Sequence, residues 1–143
     1  MQLLIFCGPP GSGKTTLSKE IAIKQNILRF SFDEEHCLQH KELVPLVVEA
    51  LRNGRSVVVD AVYAERRHRI DLLSAITNIP CYKTLIYMTT PLEDCVRRNA
   101  QRINPLPEFV VIGMYNAFEL PNFDEGWDEI REVNSYEVNL ASD

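Results

Sequence analysis

Near its start the chain reads Gly8-Pro9-Pro10-Gly11-Ser12-Gly13-Lys14-Thr15, which fits the pattern GxxxxGK followed by Ser or Thr at every fixed position. Glycines let backbone N–H groups curl around an anion. The first turn of a following helix adds unpaired donors and the positive end of its dipole. The stretch therefore predicts a loop that binds the phosphates of a nucleotide.

The polar residues of this loop have distinct predicted roles. Lys14 can reach the β- and γ-phosphates of ATP, and the Thr15 hydroxyl can ligate Mg²⁺. ATP and Mg²⁺ are accordingly the expected substrate and cofactor. The residues expected to contact the nucleotide are Gly8, Gly11, Ser12, Gly13, Lys14, Thr15 and Thr16.

The sequence around the loop alternates between strand and helix patterns. Residues 2–7 form a continuous apolar run, which is typical of a parallel strand buried on both faces. Further strands are predicted at 27–32, 56–59, 81–88 and 130–133. Helices are predicted at 14–24, 65–76, 91–102 and 107–118, and one more runs to Arg52 with Leu43, Val47 and Leu51 as its core stripe. Pro45 is placed in the first turn of its helix. This alternation predicts an α/β fold, with a parallel sheet covered on both faces.

Length, charge and cysteine content narrow the class of protein. The 143 residues, 45% of them hydrophobic, are predicted to form one domain over 1–143. The net charge of -5 argues against broad, nonspecific nucleic-acid binding, which depends on many Lys and Arg. Four scattered cysteines without a CxxC pair are expected to be free thiols in the cytoplasm. Neither a signal peptide nor a membrane span is expected.

Two aspartates follow predicted strands, at the sheet edge where parallel α/β proteins bind ligands. Asp33 could act as a general base toward an acceptor hydroxyl, or it could only cap a helical turn or be solvated. Asp60 ends the Val57-Val58-Val59 run and could hold Mg²⁺ through water or orient the acceptor. An ordinary aspartate at a strand end is the alternative.

Basic residues occur in two groups on predicted helices. The first group, which follows Asp60, could contact an anionic acceptor but is more often a solvated face. It comprises Arg66, Arg67, His68 and Arg69. In the second group, the spacing of Arg98 and Arg102 places both on one helix face, from which they could close over the nucleotide. Pairs of Arg97 with Glu93 and of Arg98 with Asp94 would instead support a plain surface helix.

Taken together, four segments resemble the P-loop kinases grouped with the polynucleotide 5′-hydroxyl kinases, including AAA-type and zeta-toxin-like kinases. The segments are the loop through Thr16, Ser31-Phe32-Asp33, Val57-Val58-Val59-Asp60 with its arginines, and the 96–102 run before Pro107 and Met114-Tyr115. The likeness extends from Met1 to about Val133. It implies a three-layer P-loop NTPase fold with a five-stranded parallel sheet in the order 2-3-1-4-5 and a short helical lid.

The resemblance also implies roles for individual residues. Asp33 matches the general base of the family. Lys14 and Arg102 match residues that act on the transferred phosphoryl group, and Arg98 matches a residue of the same lid.

The acceptor side departs from the family pattern. His36, a weaker and pH-dependent cation, stands where the phage-type polynucleotide kinase has an arginine that grips the acceptor phosphate. Ala61 and Val62 replace the usual Thr and Asn after the second aspartate. The candidate acceptor-side residues are His36, Asp60, Arg66 and Arg67.

The preferred interpretation is transfer of the γ-phosphate of ATP to a hydroxyl, with the 5′-hydroxyl of a DNA or RNA end as the first choice of acceptor. The alternative acceptors are a nucleoside, a sugar, an antibiotic or an aminoacyl-tRNA, and the acidic charge and the lost arginine favour them. A nucleotide-dependent switch is less favoured, because the sequence has neither an NKxD motif nor a DxxG motif after the third strand.

Overall fold

The computed structural model describes residues 1–31 and 40–134 of the chain. Its strands are β1 (Gln2–Cys7), β2 (Leu28–Ser31), β3 (Val57–Asp60), β4 (Tyr82–Met88) and β5 (Glu129–Val133). Its helices are α1 (Lys14–Gln25), α2 (His40–Arg52), α3 (Arg66–Ala75), α4 (Leu92–Ala100) and α5 (Glu108–Asn116), with a 3-10 turn at Phe123–Glu125. None of the helices in these two ranges is both long and apolar enough to cross a membrane.

The five strands form one parallel sheet in the order β2-β3-β1-β4-β5, which confirms the predicted topology. β1 lies at its centre, and Ile5 is in register with Val59 on one side and Leu85 on the other. The continuous apolar character of β1 follows from this position, because a central parallel strand is covered by other chain on both faces.

Alternate residues of the strands divide the core into two clusters. Leu3 and Ile5 face the larger cluster, together with Leu43 and Val47 of α2 and Leu72 of α3. The residues that point the other way form a smaller cluster against α1, namely Leu4, Phe6, Val58, Ile86 and Met88, with Leu17 and Ile21 packed on them. We call these two sides the α2–α3 face and the α1 face. The predicted three-layer arrangement is thereby confirmed.

The predicted start of α2 is wrong. Among the described residues the helix already includes His40, so that Pro45 lies inside it rather than in its first turn. A proline inside a helix costs about 3 kcal/mol, whereas burying an apolar side chain contributes about 1.5–3 kcal/mol. Leu43, Val47 and Leu51 are 0%, 0% and 1% exposed, so burial of this stripe outweighs the break at the proline.

The predicted end of the helix that carries the second arginine group is also wrong. α4 ends at Ala100, so Arg98 and Arg102 do not share a helical face. The cause is Asn99, whose side-chain amide donates to the Leu106 carbonyl at 2.8 Å and accepts from the Leu106 N–H at 3.2 Å. These two bonds tie the chain into a turn between α4 and α5.

Candidate active site

The phosphate-binding loop connects the buried β1 to α1, as its sequence predicts. Gly11 and Gly13 have φ angles of 80° and 97°, in the left-handed region that favours glycine. At Gly11 there is a second constraint, because a Cβ atom would collide with the backbone carbonyl of Cys95 in α4. The loop therefore fits its surroundings only with glycine at this position.

Hydrogen bonds from three other segments hold the loop. The Gly8 N–H donates to the carbonyl of Val62 at 3.2 Å, and the Thr90 hydroxyl donates to the Ser12 carbonyl at 2.7 Å. Arg98 of α4 lies at a longer distance, with Nη1 3.5 Å from the Gly11 carbonyl. The chain segments after β3 and β4 and the helix α4 thus fix the position of the loop.

The interior of the loop suits an anion. The Ser12 hydroxyl is fully buried and has no hydrogen-bond partner among the described residues. An unpaired buried polar group costs about 1–3 kcal/mol, and a phosphate oxygen would remove that cost. Lys14 is only 7% exposed, at the first position of α1 where the helix dipole is positive. Serine, lysine and helix end together fit the phosphates of ATP.

Asp60 is buried at the end of β3 and bonds to two side chains. Its Oδ2 accepts from Arg29 Nη2 at 2.7 Å and lies 3.2 Å from the Ser18 hydroxyl. The Ser18 hydroxyl is also 3.0 Å from the Thr15 carbonyl. Asp60 is thus one side chain away from the turn that carries Thr15, where the sequence predicts the metal.

Arg29 was not named by the sequence analysis. A weak signal for it exists in β2, where Leu28 and Phe30 pack on the α2–α3 face and leave Arg29 and Ser31 on the α1 face. Arg29 also donates from Nε to Ser18 at 3.0 Å. A cation in a short strand beside a phosphate-binding loop is therefore a candidate residue of the site.

Mg²⁺ commonly keeps several waters and binds through one or two protein ligands plus substrate phosphates. Within residues 1–31 and 40–134 no group of three or more His, Cys, Asp or Glu side chains is assembled. Thr15 as a direct ligand and Asp60 through water therefore stay the predicted metal-binding residues. Both contacts to Asp60 described above use Oδ2.

The structure describes only some of the remaining residues that the sequence predicts for the site. Asp33 and His36 lie outside the described residues. Arg98 is half-buried and directed at the loop, whereas Arg102 is exposed in the turn after α4. Arg97 pairs with Asp94 at 2.7 Å, three residues away instead of the predicted four-residue spacing to Glu93. The roles proposed for Asp33, Arg98 and Arg102 stay predictions.

The first basic group is not one solvated face. Arg69 is fully buried, and its guanidinium donates to both carboxylate oxygens of Glu125 at 2.8 and 3.1 Å and to the Tyr63 carbonyl at 2.8 Å. Arg66 and Arg67 lie at the surface and pair with acidic residues: Arg66 with Asp124 at 2.8 Å and Arg67 with Glu65 at 2.7 Å. An anionic acceptor would have to displace those carboxylates.

Glu125 is the centre of this buried network. It also accepts from the Trp127 indole at 3.0 Å and from the Asn122 N–H at 3.2 Å. Burial acts to raise the pKa of Glu125, but the bonds from Arg69, Trp127 and Asn122 outweigh burial and lower that pKa. The network holds the chain after β3 in place, because Arg69 bonds to the carbonyl of Tyr63 in that segment.

A second polar cluster adjoins the same segment. The Tyr63 hydroxyl lies 3.2 Å from His40 Nδ1, and the rings of His40 and His68 stack with their centroids 4.7 Å apart. Burial and the neighbouring His68 lower the pKa of His40 despite the opposing effect of Asp71. Tyr63 has a φ of 42°, which is uncommon for a residue with a side chain. Sequence spacing gave no signal for this cluster.

The cysteines near the loop are not candidate nucleophiles. Burial raises the pKa of Cys95 to about 11 and that of Cys7 to about 12, so both remain thiols at neutral pH. Cys7, Cys81 and Cys95 are free in the described part of the chain. Neither Cys7 nor Cys95 is therefore given a role in the chemistry of the site.

Comparison with known proteins gives a family and several relatives. A family model described as an AAA domain, AAA_33, matches residues 3–121. The L-seryl-tRNA(Sec) kinase of Methanococcus maripaludis is 29% identical over 144 residues, and the match covers 88% of this chain and 56% of that protein. The chain thus spans little more than half the length of this relative.

Two solved structures illustrate the shared fold. A sugar kinase from Janibacter sp. matches with a TM-score of 0.75 at 14% identity, covering 99% of this chain and 92% of that chain. A fungal RNA kinase matches with a TM-score of 0.74 at 17% identity, covering 92% of this chain and 38% of that chain. At these identities the likeness concerns the arrangement of helices and strands.

Proposed function

The chain belongs to the AAA_33 family of AAA domains, and from this membership we propose that it is a kinase that transfers the γ-phosphoryl group of ATP to a hydroxyl. The observation that carries the proposal is the phosphate-binding loop. Inside it lie the buried Lys14 and the Ser12 hydroxyl, which has no partner in the described part of the chain. Such a loop by itself explains only the binding of a nucleotide. Transfer is proposed because the chain also has candidate groups for the proton and for the charge of the migrating phosphoryl group.

On the donor side, the loop N–H groups and Lys14 bind and orient the β- and γ-phosphates of ATP. Their positive charge also stabilises the charge that builds up on the phosphate oxygens during transfer. Mg²⁺, when bound at Thr15 and through water at Asp60, would neutralise part of the same charge. Arg98 already lies beside the loop, and Arg102 would add its charge from the turn after α4.

On the acceptor side, an in-line displacement places the hydroxyl on the side of the γ-phosphorus opposite the leaving oxygen. The acceptor oxygen forms a new bond to phosphorus, and the bond to the oxygen that bridges the β- and γ-phosphates breaks. ADP leaves with that bridging oxygen. The hydroxyl proton passes to a general base, a role for which Asp33 is the proposed residue.

As acceptor we propose first the 5′-hydroxyl of a polynucleotide. The segments that resemble polynucleotide 5′-hydroxyl kinases support this choice, and the RNA kinase among the structural neighbours has the same fold. The net charge of -5 argues against tracking along many phosphates, so this proposal confines recognition to the end of the strand. The proposed location is the cytoplasm.

A second candidate acceptor is the seryl group of an aminoacyl-tRNA. The observation that favours it is the 29% identity to an L-seryl-tRNA(Sec) kinase over 88% of this chain. A small molecule such as a sugar is a third choice, which the fold of the sugar kinase allows. In all three the donor chemistry is the same, and only the acceptor hydroxyl differs.

The test is transfer of radiolabelled phosphate from ATP, with Mg²⁺, to 5′-hydroxyl RNA and DNA oligonucleotides and to seryl-tRNA. We expect label on an oligonucleotide, and we expect Lys14→Ala to lower that labelling at least about a hundredfold. Lys24→Ala is the matched control, because Lys24 lies in the last turn of the same helix and its side chain is 70% exposed.

The outcomes separate the candidates. Label on seryl-tRNA alone would replace the polynucleotide by the second acceptor. If ATP binds but neither nucleic acid is labelled, a small-molecule acceptor becomes the candidate. ATP binding without transfer to any hydroxyl would contradict the kinase proposal itself.

A further inference from the structure

A cavity of about 170 Å³ opens beside the phosphate-binding loop, between the end of β4 and the end of α5. Its lining includes Pro9, Tyr87, Thr89, Tyr115, Phe118 and Leu120. Because Pro9 belongs to the loop itself, whatever fills the cavity lies next to bound phosphates.

One wall of the cavity is aromatic, and its rings contact each other and a buried cation. The rings of Tyr87 and Phe118 are stacked at a centroid distance of 5.0 Å and an interplanar angle of 9°. The guanidinium of the buried Arg69 lies 5.8 Å from the Phe118 ring centre. Phe118 thus lies within reach of a second aromatic ring and of a fixed cation, which limits its rotation.

The opening of the cavity is accessible, and both polar and apolar side chains line it. Leu120 is 70% exposed, and Tyr115 and Phe118 are half-buried. Exposed apolar side chains around an aromatic wall are a common feature of ligand pockets. Burial, with the nearby Glu132 adding to it, raises the pKa of Tyr87, so its hydroxyl keeps its proton and can donate a hydrogen bond.

The aromatic wall of the cavity lies on the α2–α3 face of the sheet, the side proposed for the acceptor. Tyr87 and Phe118 pack on the α2–α3 face of the sheet, whereas α1, whose first turn is expected to hold the donor phosphates, lies on the other face. An in-line transfer needs the acceptor opposite the leaving group. A group attached to the acceptor hydroxyl would thus approach from the α2–α3 face.

The size of the cavity suits one flat ring. Pockets for drug-sized ligands measure about 300–1,000 Å³, so a volume near 170 Å³ admits a single ring system and not a whole nucleotide. The hydroxyls of Thr89 and Tyr115 can bond to polar atoms at the edge of such a ring. Aromatic walls with polar edges are typical of sites that stack a nucleobase.

We propose that this cavity, the ring pocket, binds the nucleobase next to the acceptor hydroxyl, with Tyr115 and Phe118 as its stacking residues. The inference rests on the proposed function, since it assigns the ring to a nucleic-acid acceptor. It makes the pocket a determinant of specificity, one that recognises a base at the reacting end of the strand.

The experiment compares two fluorescein-labelled RNA tetranucleotides with a free 5′-hydroxyl, one with adenine at the 5′ position and one with an abasic ribose there. Anisotropy gives their affinities, and phosphate transfer gives kcat and KM. For the wild-type protein we expect the base to improve both affinity and KM at least about fivefold, as stacking of one base does elsewhere.

In Tyr115→Ala, the affinities and KM values for the two oligonucleotides should differ by no more than about twofold, and the KM for ATP should be unchanged. Tyr115→Phe keeps the ring and should preserve most of the preference, which separates stacking from a loss of folding. Tyr82→Ala is the matched control, because Tyr82 is a 51% exposed tyrosine at the other end of β4. It should keep the full preference.

Two results would overturn the inference while the proposed function stands. One is transfer to both oligonucleotides with equal KM by the wild-type protein. The other is a rise in the KM for ATP in Tyr115→Ala, which would assign the pocket to the adenine of the donor. If neither oligonucleotide is phosphorylated, the polynucleotide acceptor of the proposed function fails, and the anisotropy ratio of the wild-type protein and Tyr115→Ala still decides whether the pocket binds a base.

Discussion

Gly11 brings the phosphate-binding loop into close contact with α4. Its backbone is in the left-handed region, and its Cα faces the Cys95 carbonyl at a distance that leaves no room for a side chain. We expect Gly11→Ala to lower the free energy of unfolding by about 2–4 kcal/mol, combining backbone strain with a collision, and to weaken ATP binding. Urea unfolding and equilibrium dialysis with ATP measure the two effects.

Gly54 provides the matched control for this prediction. Its φ of 78° is close to the 80° of Gly11, but a Cβ atom there would meet nothing within 4 Å. Gly54→Ala should therefore cost only the strain, about 1 kcal/mol, and leave ATP affinity unchanged. Equal losses in the two variants would show that the contact with Cys95 has no energetic weight.

Asp60 has two functions to separate, a buried ion pair with Arg29 and the predicted contact with a metal-bound water. Arg29→Met removes the pair and keeps the carboxylate, so we expect a loss of about 2–4 kcal/mol in stability but an unchanged Mg²⁺ requirement. Asp60→Asn should instead raise the Mg²⁺ concentration for half-maximal transfer at least about fivefold. If that concentration is the same in Asp60→Asn and the wild-type protein, the role of Asp60 is structural.

At the scale of elements, the buried pair of Arg69 and Glu125 joins α3 to the turn before β5. The bonds to Glu125 lower its pKa below the ordinary 4.5, so the folded state binds this proton less readily than the unfolded state. The stability that results is present above pH 4.5 and is lost as the pH falls below it. Glu125→Gln should therefore be less stable at pH 7 and should show a shallower loss in acid, measured by urea unfolding across that range.

Asp124 is the control for this acid dependence. It is the neighbouring carboxylate, it pairs with Arg66 at the surface, and its side chain is 62% exposed. Surface pairs contribute about 0–1 kcal/mol, so Asp124→Asn should unfold much like the wild-type protein at both ends of the pH range. A wild-type acid dependence in Glu125→Gln would assign that dependence to other groups.

The accuracy of the sequence-based predictions differs between local and distant features. The phosphate-binding loop and the five strands depend on local pattern, and the structure has them where they were expected. The start of α2 was misplaced because the stretch up to Glu42 is polar, and the end of α4 because the turn at Asn99 depends on bonds to Leu106. Arg69 and Glu125 are 56 residues apart, and no spacing rule connects them.

The candidate site divides in the same way. Lys14 and Ser12 could be assigned from the motif alone, because their chemistry follows from their place in the loop. Arg29 and the lining of the ring pocket come together only through the sheet order, which brings β2 beside β3 and the end of α5 beside β4. No local sequence pattern identifies the function of these residues.

At the scale of the whole molecule, the prediction of one domain can be tested with the single tryptophan. Trp127 is 5% exposed and bonds to Glu125, so its emission reports the packing of α3 against the chain before β5. Far-UV circular dichroism reports all helices instead. If the chain is one cooperative domain, both signals should give the same urea midpoint and slope. Two separate transitions would contradict the single-domain prediction.

The position of β1 at the centre of the sheet has a consequence for synthesis. The ribosome makes β1 before either of its neighbours, and β1 is flanked by residues 57–60 and 82–88. An apolar strand thus stays unpaired until β3 and β4 have been synthesised, and unpaired strands are exposed to aggregation. Nascent chains stalled before β4 emerges should bind holdase chaperones, and chains stalled after β5 should have released them.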